Sequence, residues 1–237
     1  MSIPAAPKKI LFNGDSLCIG LVETGSWSTR ISEWLGIPCP NYARGGGTIT
    51  ENPPPLKSGH PRYSISAEIE KMHAEHPDAD YLLFEGGAND ADLLGHPAPG
   101  EASRFGELDP FDYSGNYDRD TFTGALESIF YRATQLWNGA HIGYIVPHKI
   151  GLNERSITNY RRFFDRAIAV CRKWGIPYLD LWETCCMTPM LPWMRDPQKT
   201  PEEMKRENVC YYYDSEHITA RGYDLTSDRI FRWLKTI

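Results

Sequence analysis

The chain has 237 residues, enough for a well-buried core, and reads as a single domain over residues 1–237. Its 25 basic and 31 acidic residues leave a net charge of −6, which offers nothing to phosphate backbones or anionic lipid, so neither nucleic acid nor membrane is an expected partner. The stretch from Met1 to Lys9 lacks an apolar run of signal-peptide length, no window approaches the roughly 18 apolar residues of a membrane span, and a cytoplasmic protein is expected.

The first apolar run, Ile10 to Phe12, predicts a strand that leads into Gly14-Asp15-Ser16. A tight turn there holds a serine hydroxyl at the carboxyl edge of a sheet, where open α/β folds place their ligands. Apolar spacing of three and four predicts a helix over residues 20–35, stopped by Gly36. A second strand is expected over residues 37–42, followed by Arg44-Gly45-Gly46-Gly47-Thr48. Three bare backbone positions at a strand end allow close approach, and a glycine N–H there could donate to a developing oxyanion. A phosphate cradle fits less well, because no Gly-Lys-Ser/Thr follows and the dinucleotide spacing is missing. Pro53-Pro54-Pro55 is read as a stiff structural segment.

A helix over residues 64–76 leads to a third strand, Tyr81 to Phe84, and then to Glu85-Gly86-Gly87-Ala88-Asn89-Asp90. Asn89 supplies a side-chain amide donor at this strand end. Residues 92–120, rich in Gly, Pro, Asp and Ser, predict a long loop. Helices over residues 121–137 and 156–174 flank a fourth strand, Ile142 to Val146, with Gly139 and Gly175 as stops. The fifth strand is expected at Tyr178 to Leu181, and residues 187–213 predict a second long loop. Asp214-Ser215-Glu216-His217 then precedes a last helix over residues 219–234. The three-residue spacing of Asp214 and His217 lets the carboxylate orient one imidazole nitrogen while the other faces outward as a base for Ser16. Asp214 or Ser215 acting only as a helix cap is the plainer alternative.

Strands without clean alternation, separated by helices, predict a three-layer α/β/α sandwich around a central parallel sheet of about five strands. Cys18, Cys39, Cys171, Cys185, Cys186 and Cys210 lack zinc-type spacing and read as reduced thiols. His73 and His76 form an HxxH pair at a helix end, a weak metal pattern, and no metal or cofactor is expected. Tyr63, Trp182, Trp193 and Tyr211 to Tyr213 place aromatic side chains near the site loops, where they could hold a sugar or acyl group or simply pack.

In order and separation these motifs resemble the SGNH hydrolase superfamily, also called the GDSL esterases and lipases. The matching blocks are Phe12 to Leu17, Asn41 to Thr48, Gly87 to Asp90 and Asp214 to His217, with Pro147 near a weaker fourth block. The resemblance implies a flavodoxin-like fold and a serine hydrolase acting on small carboxylic esters, including O-acetyl groups on carbohydrate, with no cofactor. It implies Ser16 as nucleophile, His217 as base and later acid, and Asp214 as its orienter. The oxyanion hole would be the Ser16 N–H, the Gly46 N–H and the Asn89 amide. Acyl transfer to an alcohol would use the same residues, and a non-catalytic carbohydrate-binding module with this fold is the reading from another class. A nucleotide- or flavin-binding domain would need a phosphate loop after the first strand, and Asp15-Ser16 does not make one.

Overall fold

Why strand formers at Ile10, Tyr81, His141 and Tyr178 end up side by side follows from the helices that cover both their faces. A computed structural model describes residues 7–53, 62–94 and 104–237. Four strands, β1 (Ile10–Asn13), β2 (Tyr81–Glu85), β3 (His141–Val146) and β4 (Tyr178–Asp180), pair in parallel in the order β1-β2-β3-β4. Side chains along each strand alternate between two apolar clusters. Leu11, Leu82, Phe84, Ile142 and Tyr144 face one cluster, while Ile10, Phe12, Tyr81, Leu83 and Ile145 face the other. The first is completed by α3 (Ile69–Glu75), α4 (Ala88–Leu94), α5 (Phe122–Leu136) and α6 (Glu154–Trp174). The second is completed by α1 (Ser16–Ile19), α2 (Trp27–Leu35), α7 (Leu181–Thr184) and α9 (Ala220–Leu234). Three layers result, as the alternating pattern predicts.

The second expected strand, at residues 37–42, is a correction, and it leaves four strands where about five were expected. This segment runs beside β1 and is joined to it by Ile10 N–H to Pro38 O, Phe12 N–H to Pro40 O and Tyr42 N–H to Phe12 O, but only one bridge, Phe12 to Asn41, is regular. Pro38 and Pro40 have no N–H to give, so the segment accepts along this edge and no ladder forms. Counting it as an edge, the spatial order is 2-1-3-4-5 in chain order, and the direction of winding changes between β1 and β2. Ligand sites in such sheets lie outside the strand ends at that switch point.

Helix boundaries also shift where a cap decides them. The helix expected from Gly20 begins at Trp27, because Gly20 and Gly25 both have positive φ (66° and 71°) and a Cβ on Gly20 would stand 1.9 Å from the Gly25 carbonyl oxygen. Ser26 caps that helix by accepting from Thr29 N–H. Residues 66–68 form a 3₁₀ turn before α3, and α6 starts early, at Glu154, on an Asn153 cap. Gly36 and Gly175 close α2 and α6 in the left-handed conformation as expected, whereas α5 ends on Trp137 with Gly139 in the turn beyond.

The region 187–213 is not all loop: α8 (Pro201–Glu207) is set by a capping box in which Thr200 and Glu203 satisfy each other's backbone donors. Of residues 92–120, the part from Arg104 onward is tied to α5 and α6 through Arg166 to Gly106 O, Tyr113 Oη to Lys173 O and Lys173 Nζ to Asp112 O. Residues 95–103, like Pro54 and Pro55, lie outside the described residues. Among the described residues no helix is long and apolar enough to cross a membrane.

Gly143, in the middle of β3, has no room for a side chain: a Cβ would lie 2.6 Å from Trp233 and 3.0 Å from Leu83. Gly143→Val is expected to destabilise the fold by about 1–3 kcal/mol through overpacking of the α9 layer. A denaturation midpoint equal to that of the unsubstituted chain would contradict this packing.

Candidate active site

Ser16 stands where β1 gives way to α1. Asp15 caps this single turn, its Oδ1 accepting from Leu17 N–H at 2.8 Å, and the Ser16 N–H belongs to the first-turn donors that a helix leaves without an internal partner. Gly14 allows the turn because a Cβ there would fall 2.5 Å from Glu85 Oε2 and 2.7 Å from Cys18 Cβ.

His217 arrives from the far end of the chain. The turn that carries it is pinned by a bridge between Tyr212 and Ile218 and by Tyr213 N–H to His217 O. Asp214 holds the turn from inside: its Oδ1 accepts from Glu216 N–H at 2.7 Å and His217 N–H at 2.6 Å, while its Oδ2 lies 2.8 Å from His217 Nδ1. With Asp214 ionised, Nδ1–H donates to it, and Nε2 is left to accept from Ser16 Oγ–H at 2.9 Å. The plain alternative of Asp214 or Ser215 as helix cap does not apply, since Thr219 caps α9.

Burial is the largest single influence and opposes charge on both partners, yet the bond, the opposite charge and the backbone donors together outweigh it. Asp214 is held below the usual carboxylate range by His217 and the two backbone donors, and His217 is raised above the ordinary imidazole value by the Asp214 bond and charge. Tyr213 stacks on the imidazole, with centroids 5.6 Å apart and planes 10° from parallel.

The remaining expected residues lie at neighbouring strand ends. Gly46 has φ 74° and its N–H has no partner among the described residues, while the Gly47 N–H is taken by Arg44 O at 3.0 Å. Arg44 N–H in turn donates to Gly14 O, which ties this loop to the turn of Ser16. Asn89, in the first turn of α4, donates through Nδ2 to Asp15 Oδ2 at 3.0 Å, leaving the second hydrogen of the amide. Asp90, fully buried, accepts from Ile49 N–H and Thr50 N–H and so fastens the glycine loop to α4.

Other sequence candidates sit elsewhere. Tyr63 Oη bonds Asn13 Oδ1 and Tyr42 O; Trp182 and Tyr212 belong to the core; Trp193 is exposed. His73 packs edge-on against Trp137, and His76 O accepts the Trp137 indole N–H.

Two residues escaped the sequence reading. His148, next to Pro147, is fully buried, and its Nε2 donates to the Glu216 carbonyl at 2.8 Å, directly behind His217. Burial pushes its pKa down to about 4, so it stays neutral and acts as a fixed donor. Its position after a strand-ending proline was the available signal. Glu85, the last residue of β2, lies beneath Asp15 and is taken up below.

A cavity of about 460 Å³ lined by Arg44, Gly45, Gly46, Arg62 and Tyr63 adjoins the glycine loop. A larger one on the outer side of α6, lined by Phe105, Arg162 and Arg166, includes none of the sequence motifs.

No family model and no curated protein sequence matches the chain. Solved structures do. An aryl esterase from M. smegmatis superposes with a TM-score of 0.64 at 14% identity, covering 97% of this chain and 99% of that one. A carbohydrate acetylesterase from Sinorhizobium meliloti gives 0.62 at 13% identity, with 97% and 99% covered. A protein from Bacteroides ovatus called a GDSL-like lipase gives 0.60 at 15% identity, with 98% and 99% covered. The likeness runs over nearly the whole length of each chain, and this chain shares the fold of these two esterases and of the lipase-like protein.

Proposed function

We propose that the chain hydrolyses small carboxylic esters through an acyl-enzyme on Ser16. The observation that carries this reading is the 2.9 Å contact between His217 Nε2 and Ser16 Oγ with Asp214 bonded behind the ring. In the first step Ser16 Oγ attacks the acyl carbonyl carbon as His217 Nε2 takes its proton. The carbonyl oxygen becomes an oxyanion, for which the Ser16 and Gly46 N–H groups and the second Asn89 N–H are the donors. His217 then protonates the departing alkoxide, and a water deprotonated by His217 releases the acid. Asp214 never needs to take the proton; it fixes the ring and stabilises the imidazolium.

Acetyl esters, including O-acetyl groups on carbohydrate, are the proposed substrates. Charged and polar groups of Arg44, Glu51, Arg62, Tyr63 and Glu68 line the cavity beside Gly46, which suits a small or polar group better than a long acyl chain. The names of the acetylesterase and aryl esterase neighbours point the same way. Hydrolysis of p-nitrophenyl esters of increasing acyl length tests this: turnover that falls steeply beyond the short acids is expected, and turnover that rises with chain length would contradict it.

The base must be neutral to work. Because the His217 pKa lies above the ordinary value, protonation sets in at higher pH than for a free imidazole. The acid limb of kcat/KM is therefore expected to have its midpoint above pH ~6.5. A profile that stays flat through that pH would contradict His217 as base.

A further inference from the structure

Beneath Ser16 lie two carboxyl groups that the mechanism does not use. Asp15 and Glu85 are 0% and 1% exposed, and neither forms an ion pair among the described residues. Asp15 N–H donates to Glu85 Oε2 at 3.0 Å, and Asn89 Nδ2 donates to Asp15 Oδ2 at 3.0 Å. Glu85 Oε1 is buried with no donor facing it. The two carboxyl groups are within hydrogen-bonding reach of each other, and two buried anions so placed, with no cation paired to either, would be prohibitively costly, so the pair holds one proton. Asp15 has donors for both its oxygens, from Leu17 N–H and Asn89, whereas an ionised Glu85 would leave one oxygen with none. The proton therefore belongs on Glu85.

We infer that Glu85 is a positioning acid: it stays protonated, donates its hydrogen to the Asp15 carboxylate, and thereby keeps Asp15 an anion that holds the Asn89 amide in place for the oxyanion. This rests on the serine-esterase reading. Burial sets the order of titration, raising Glu85 far above the usual carboxylate range and Asp15 only to about 6. The titratable groups around the pair are Asp90 on α4, Cys18 on α1, Tyr144 on β3, Tyr223 on α9 and His217, of which only His217 can offer an opposing charge. Gly14 leaves the space that the Glu85 carboxyl fills.

The test joins difference infrared spectroscopy of the full chain with kinetics of three proteins. At pH ~8, far above the ordinary glutamate value of about 4.3, the unsubstituted chain is expected to show the carbonyl stretch of a protonated carboxyl, and Glu85→Gln to lack it. Glu85→Gln keeps a donor for Asp15, so most turnover should survive, with the acid limb of the pH profile in place. Glu85→Leu removes the donor and is expected to lower kcat about 10-fold or more at nearly unchanged KM, less than the 10²–10³-fold of a lost oxyanion donor. Circular dichroism of both variants separates these effects from misfolding. A Glu85→Gln enzyme as impaired as Glu85→Leu, or one whose acid limb moves to lower pH, would mean that Glu85 carries charge and would overturn the inference. Turnover without the infrared band overturns it as well. The band without any Ser16-dependent turnover overturns instead the esterase reading and the positioning role built on it.

Discussion

Ser16→Ala is expected to cut kcat on the order of 10⁶-fold, with KM little changed. In the proposed mechanism the hydroxyl is the group that becomes acylated, and the thiol two residues on, Cys18, is a poor substitute: it is buried, and burial and the adjacent carboxyls push its pKa well up. The side chain of Ser16 is not part of the local scaffold, because Asp15 caps the turn and Gly20 N–H closes it on the Ser16 carbonyl. Folding should therefore be unaffected, and unchanged thermal unfolding beside lost turnover is the expected pair of results. Retained turnover in the variant would place the chemistry on another residue.

Asp214→Asn is expected to lower kcat about 10⁴-fold. Asparagine fits the space and still accepts from Glu216 and His217 N–H through Oδ1, so the turn survives. What changes is the atom facing His217 Nδ1. An amide NH₂ there requires Nδ1 to accept, which moves the ring proton to Nε2 and leaves nothing to take the Ser16 proton. Loss of the carboxylate also removes what raises the His217 pKa, so any residual activity should titrate at lower pH than in the unsubstituted chain. A rate within about 10-fold of the original, or an acid limb that does not move, would contradict the role given to Asp214.

The residues of the site were legible in the sequence because each sits in a short string at the end of an apolar run, where parallel strands deliver their loops to one edge. Ser16, Asn89 and the Asp214–His217 pair needed no knowledge of distant contacts beyond that rule. The edge segment over residues 37–42 was misread for a local reason already present in the chain, the two prolines that deny it a ladder. α8 was likewise readable from Thr200 and Glu203, a capping box inside what composition marked as loop. α4 was hidden because Gly86 and Gly87 before it and Asn89 and Asp90 within it are turn formers; its first turn holds because Asp90 is spent on the backbone of Ile49 and Thr50. Glu85 and His148 could not have been given their roles from sequence, although the place of His148 after Pro147 marked it as a strand-end residue. Each reads as an ordinary polar residue after a strand, and its chemistry depends on burial and on a partner over sixty positions away.

The central claim is that Ser16 is the nucleophile, and the most direct measurement is covalent labelling of the folded chain with a serine-directed phosphonate, followed by mass spectrometry of its peptides. A single phosphonyl adduct on the peptide containing Ser16, abolished in Ser16→Ala and slowed in His217→Ala, is the predicted result. An adduct at another residue, or no adduct in folded protein that still hydrolyses esters, would contradict the account.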